Sequence, residues 1–169
     1  MYVVRTLLSV VLLSGLALAH KPQFPGSSPV VVRGATVSQA FYIGLPVGET
    51  FVFEIAPLPR AVPVQVLVLD DEAGRALVPR ALWRCGDESR ILAQLDQPFV
   101  EAFSGLRLRY RVADSLDPTA TPCRLEVWET HAAAGPLVVA IGDEERFDLG
   151  DLVGLLSLQG RLRAWQRGE

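Results

Sequence analysis

Strict alternation of apolar and polar positions is the strongest signal along this chain. In "GETFVFEIAP" (48–57), Phe51, Phe53 and Ile55 fall on one face and Thr50, Val52 and Glu54 on the other, the period of a half-buried strand. "LRLRYRVAD" (106–114) repeats it, with Leu106, Leu108, Tyr110 and Val112 to one side and Arg107, Arg109 and Arg111 to the other. "CRLEVWET" (123–130) sets Cys123, Leu125 and Val127 inward and Arg124, Glu126 and Trp128 outward. "VPVQVLVLD" (62–70) is nearly all apolar, as a strand covered on both faces requires. "ATVSQAFYIGL" (35–45), "ALVPRALWRC" (76–85), "ILAQL" (91–95) and "GPLVVAIGD" (135–143) complete the set. Seven or eight short strands between Gly/Pro turns, with no amphipathic helix before residue 148, predict a mainly β fold. The expected architecture is a single antiparallel β-sandwich of jelly-roll or Ig-like build over 35–147, closed by a short C-terminal helix.

The two ends read differently. "MYVVRTLLSVVLLSGLALA" carries one cation, Arg5, before an apolar run, and Ala17 and Ala19 form a small-x-small cleavage pattern. Its uncharged stretch, Thr6 to Ala19, is 14 residues long, short of the roughly 20 a membrane span needs. Residues 1–19 are therefore expected to be a cleaved signal peptide, placing the mature chain in the periplasm or outside the cell. With histidine rather than cysteine at position 20, no acyl anchor is expected, and no membrane span is expected to remain. "HKPQFPGSSP" opens an extended leader (20–34) without helical content. At the other end, Leu149, Leu152, Val153, Leu156, Leu162 and Trp165 recur at three- and four-residue steps, predicting an amphipathic helix over 148–169. Gly154 and Gly160 weaken it by about 1 kcal/mol each relative to alanine. Two uses are open: packing against a sheet, or docking on a membrane complex through Leu152, Leu156, Leu162 and Trp165.

"QAFYIGLPVGETFVFEIAPLPRAVPVQVLVLDDEAGRAL" and "GPLVVAIGDEERFDLGDL" resemble pre-peptidase C-terminal-like β-sandwich domains of secreted bacterial and archaeal proteins. The shared order is aromatic strand, Pro-x-Gly-Glu turn, aromatic strand, apolar strand, Asp-rich turn and a late Gly-Pro-led strand. "AHKPQFP" and "GDEERFDLGDL" are likewise similar to segments of uncharacterised extracytoplasmic proteins. The resemblance covers about residues 20–155 and implies an exported, non-catalytic binding or accessory module, with an unidentified protein or glycan as partner.

Cleavage after Ala19 also makes His20 the first mature residue. Its amine and imidazole, joined by the imidazole of His131, the only other histidine, have the donor set of a Cu(II) chelate. This matches the histidine brace of lytic polysaccharide monooxygenases and the N-terminal site of periplasmic copper carriers in residue type only; the flanking residues differ. Copper binding through His20 and His131, with oxidative chemistry as its extreme form, is thus the alternative to a cofactor-free module. The row Arg107, Arg109, Arg111 suits an acidic partner, or is a solvated strand face paired to residues such as Glu126. Trp83, Trp128 and Trp165 are candidates for a sugar-stacking platform, with Trp128 the outward one, or for core packing. "LDDEAGR" clusters Asp70, Asp71 and Glu72 as a hairpin turn or a Ca²⁺ loop of unusual spacing.

Composition narrows these readings. Without residues 1–19 the chain keeps 15 of its 16 basic residues and all 19 acidic ones, a net charge of −4 with no basic stripe, so nucleic acid is not an expected partner. Cys85 and Cys123 lack a CxxC partner, and in an oxidising compartment they are expected to form one disulfide that locks the stacked layers. No GxSxG, HExxH or phosphate-binding loop is present, and no enzymatic activity is expected.

Overall fold

The computed structural model describes residues 21–101, 104–146 and 149–168, with only the backbone of 149–156. The expected signal peptide and His20 lie outside the described residues. The strands are β1 (Lys21–Gln23), β2 (Val30–Val32), β3 (Gln39–Leu45), β4 (Thr50–Ile55), β5 (Val62–Leu69), β6 (Pro79–Cys85), β7 (Glu88–Ile91), β8 (Gln94–Val100), β9 (Arg107–Leu116), β10 (Cys123–Glu129) and β11 (Gly135–Ile141). Two helices, α1 (Glu72–Ala76) and α2 (Leu149–Gln166), complete the described elements. The strands form a six-stranded sheet in the order β1-β3-β11-β5-β9-β8 and a five-stranded sheet in the order β2-β4-β10-β6-β7. Most connections cross from one sheet to the other, so alternate strands bury their inner faces against each other.

The alternation in the sequence becomes the inter-sheet core. Phe51, Phe53 and Ile55 of β4, Leu125 and Val127 of β10, and Ala81 and Trp83 of β6 meet Val62, Val64, Val66 and Val68 of β5 and Leu137, Val139 and Ile141 of β11. All are buried, and Phe41 sets its ring edge toward Phe53 at 5.2 Å. At about 25 cal/mol per Å² of apolar surface, this layer is the main source of stability.

Both sheets are mixed rather than purely antiparallel. The expected leader supplies the difference: β1 runs parallel to β3 and β2 parallel to β4, each as a three-residue edge strand. Between them the chain changes sheets, and the Ser28 hydroxyl accepts from the Val52 amide at 2.8 Å to hold the crossing. Every other pairing between the named strands is antiparallel.

The expected hairpin turn at 70–75 is instead α1, which carries the chain from β5 in one sheet to β6 in the other. Asp71 caps it, with Oδ1 accepting from the Gly74 amide at 2.7 Å. Glycine is required at 74 because an added Cβ would lie 2.1 Å from the Leu69 carbonyl oxygen.

A second core lies outside the six-stranded sheet. Ala40, Tyr42, Leu67, Leu69, Leu106, Leu108, Val138 and Ala140 present a second apolar face, covered by Leu158, Leu162 and Trp165 of α2. Trp165 donates its indole N–H to the Ile43 carbonyl at 2.9 Å, beyond the point where β1 stops pairing with β3. Tyr42 meets Trp165 edge-on at 5.1 Å, Phe24 stacks on Tyr42 at 5.0 Å, and the Arg161 guanidinium sits 4.1 Å over the Phe24 ring. Of the two uses left open for this helix, Leu162 and Trp165 take the packing one: both are buried on the sheet, because a doubly apolar sheet needs a cover on both faces. The side chains of Leu152 and Leu156 lie outside the described residues. No helix of the described residues is long and apolar enough to cross a membrane.

Candidate binding surface

The expected arginine row divides where β9 carries an extra residue. Val66 pairs with Val112 but Leu67 with Tyr110, so Arg111 is a bulge that switches faces. Leu106, Leu108 and Tyr110 thus belong to the outer core under α2, whereas Val112 joins the inter-sheet core, against the expectation of one shared face. Arg109 donates to Asp70 at 3.0 Å and to Asp96 at 2.7 Å. Arg111 donates to Asp96 at 3.1 Å and to the Arg75 carbonyl at 2.6 Å, while Arg75 donates to Asp70 at 2.8 Å. Hydrogen bonds from Arg75 and then Arg109 hold the Asp70 pKa down at about 2. This network ties α1, β8 and β9 together, so Arg109 and Arg111 are neither a solvated face nor a free recognition surface. Arg107 alone of the three is exposed. Glu126, expected as a partner for the row, pairs with Arg84 at 3.2 Å on the other sheet. Asp70 and Asp71 are likewise engaged in ion pairs and a helix cap, and the described residues contain no group of three or more potential metal ligands.

His131 is exposed in the β10–β11 loop, which is organised by a residue the sequence did not single out. Buried Glu129 accepts from the amides of Val78 at 3.0 Å, His131 at 2.6 Å and Ala133 at 2.9 Å. Burial pushes its pKa up, but these three donors outweigh it and the net shift is downward. Lys21, the covalent neighbour of His20, pairs with Gln39 at one end of β3, whereas the His131 loop leads into Gly135, which pairs with Leu45 at the other end. His20, the other half of the alternative copper chelate, lies outside the described residues.

Trp83 and Trp165 are buried in different cores, so the three tryptophans form no platform. Trp128 is half-buried on the outer face of the five-stranded sheet, opposite Thr50 and Arg80, and lies on a different sheet from the arginine row. Unlike the outer face of the six-stranded sheet, this one has no helix over it among the described residues. Its central row reads Val52, Glu126, Leu82, Ile91 across four strands, and the next row Val31, Glu54, Arg124, Arg84, Ser89 across five. Ile91 is 52% and Val31 59% exposed. The charges are mostly matched within the face: Arg124 lies 3.3 Å from Glu54, and Arg84 holds Glu126. Arg80 has no ion-pair partner among the described residues. Little of this signal was hidden: the outward positions of β4, β6 and β10 follow from alternation. What sequence alone left open was which outer face α2 would cover.

The cysteines form the expected disulfide, Cys85–Cys123. It joins adjacent strands at the paired ends of β6 and β10, within the five-stranded sheet rather than between the two layers.

Fold and surface together define a two-sheet β protein with one outer face capped by its own helix and the other left open by the described residues. No protein-family model and no curated protein matches the chain. Among solved structures, it is similar to Salmonella Typhimurium PliG, a periplasmic inhibitor of g-type lysozyme, at 14% identity and a TM-score of 0.40, over 67% of this chain and 95% of that one. A mutant of the Escherichia coli protein PliG-Ec, also a periplasmic inhibitor of g-type lysozyme, is similar at 13% identity and a TM-score of 0.39, over 73% of this chain and 98% of that one. Scores of this size carry no assignment of activity or partner.

Proposed function

We propose that this chain is an extracytoplasmic, non-catalytic module that binds another protein through the open face of its five-stranded sheet. The observation that carries the reading is the asymmetry of the two outer faces. α2 covers one, while the other leaves Val31, Val52, Leu82, Ile91 and Trp128 at the surface between ion-paired side chains. An apolar stripe rimmed by charge is the usual composition of a protein contact. A flat sheet face suits a protein better than a small molecule, which requires a concavity. The Cys85–Cys123 disulfide supports an oxidising compartment.

Site-specific photocrosslinking in the native host tests the reading. A benzophenone side chain at Ile91 or Trp128 is expected to capture one discrete protein, and the same probe at Glu72, on α1, is not. A Trp128→Ala/Ile91→Asp variant that melts like the wild type is expected to bind that protein at least tenfold more weakly. Capture that is equal from all three positions, or unaffected binding by the variant, overturns the proposal.

A further inference from the structure

A second feature lies on the other side of the molecule, where α2 crosses the ends of β5 and β9. A cleft of about 750 Å³ opens there, within the 300–1,000 Å³ range of small-ligand sites. Its floor is Leu69, Leu106, Leu158 and Leu162, the margin of the second core, and its rim carries Arg107 and Arg163. Both arginines are exposed, and neither has an ion-pair partner among the described residues.

Two carboxylates, Asp70 and Asp71, also line the cleft, each with a partner of its own. Asp70 is held by Arg75 and Arg109, and Asp71 turns an oxygen to the Gly74 amide. A leucine floor beneath two unpaired guanidinium groups fits a ligand that is apolar along most of its length and anionic at one end. The geometry points to this cleft as a binding site for a single-chain anionic amphiphile, its alkyl chain along the leucines and its head group between Arg107 and Arg163. Guanidinium groups take carboxylate and phosphate heads alike through paired N–H donors. Head-group chemistry thus leaves a free fatty acid and a lysophospholipid-type phosphate as two sources of one ligand class. This site shares no residue with the open sheet face, so either can fail without the other.

Titration of the mature protein with dodecanoate and, separately, with dodecyl phosphate tests the inference, below the micellar concentration of each. Dodecyl maltoside and dodecyltrimethylammonium supply neutral and cationic heads on the same chain. The anionic amphiphiles are expected to bind at least tenfold more tightly than either control, with amide NMR shifts centred on Leu106, Leu158 and Leu162. The tighter of the two anions identifies the source. Arg107→Gln and Arg163→Gln, at exposed positions outside any ion pair, should preserve the melting temperature and weaken binding about threefold each and about tenfold together. Equal binding of all four head groups, unchanged affinity in the double variant, or shifts centred on Val31 and Ile91 overturns the assignment.

Discussion

Replacing Trp165 distinguishes a helix built into the fold from one free to dock elsewhere. Its side chain is 6% exposed, meets Tyr42 edge-on and donates to the Ile43 carbonyl. Truncating a buried tryptophan to alanine costs about 3–5 kcal/mol through lost burial and the cavity left behind. For a domain of this size each kcal/mol moves the melting temperature by about 2–4 °C, so Trp165→Ala should melt about 10 °C below the wild type. Trp165→Phe keeps most of the ring but strands the Ile43 carbonyl, a loss of about 1–2 kcal/mol. A double-mutant cycle with Tyr42→Leu should return a coupling of about 0.5–1.5 kcal/mol, the value of an aromatic pair beyond its area. Urea unfolding followed by far-ultraviolet circular dichroism measures the wild type, the three single variants and the double variant without relying on the fluorescence of the residue removed. An unchanged midpoint for Trp165→Ala, with a coupling of zero, would refute the packing argument and restore the docking helix.

The same glycine-to-alanine change should act in opposite directions at two helical sites. Gly74→Ala drives a methyl group into the Leu69 carbonyl and should cost about 3 kcal/mol or more, whereas Gly160→Ala meets nothing within 4 Å and should stabilise α2 by about 1 kcal/mol; equilibrium denaturation reads both. The Asp70 pKa lies below its ordinary 3.8, so the carboxylate stabilises the fold at neutral pH and that contribution is lost as pH falls from about 4 toward about 2. Unfolding midpoints across this window should depend on pH less steeply in Asp70→Asn, which should already be less stable at pH 7. Reducing Cys85–Cys123, 38 residues apart, should remove about 4 kcal/mol in the chain-entropy model, seen as a lower urea midpoint in the presence of reductant.

The parts of the fold that were legible were those written in local periodicity. β4, β9 and β10 lie within about two residues of where alternation put them, because burial on one face leaves a period-two record in the side chains, and β5 and β11, apolar on both faces, stand out as continuous apolar runs. β1 and β2 left no such record: three residues beside prolines become strands only because β3 and β4 offer free edges. β7 and β8 were blurred for a related reason, since edge strands such as Glu88–Ile91 carry polar side chains on both faces. α1 depends on Asp71 capping five residues and on the close approach at Gly74, neither of which has a helical period. The Arg111 bulge is a tertiary decision, and it turned an expected solvated row into an ion-pair network. On the candidate surface, Trp128 was found by alternation, but Val31 and Ile91 became part of it only when the sheet order was known.

The two parallel edge strands have a consequence for how the molecule resists self-association. β1 and β2 lie on the same flank, so residues 21–32 form a selvedge that finishes both layers at once. A single proteolytic nick between Phe24 and Pro29 would loosen both hems, baring β3 and β4 together. Raw margins on two stacked layers are a template for fibre growth, and the shelf life of this protein in a protease-rich environment rests on a dozen residues near its beginning.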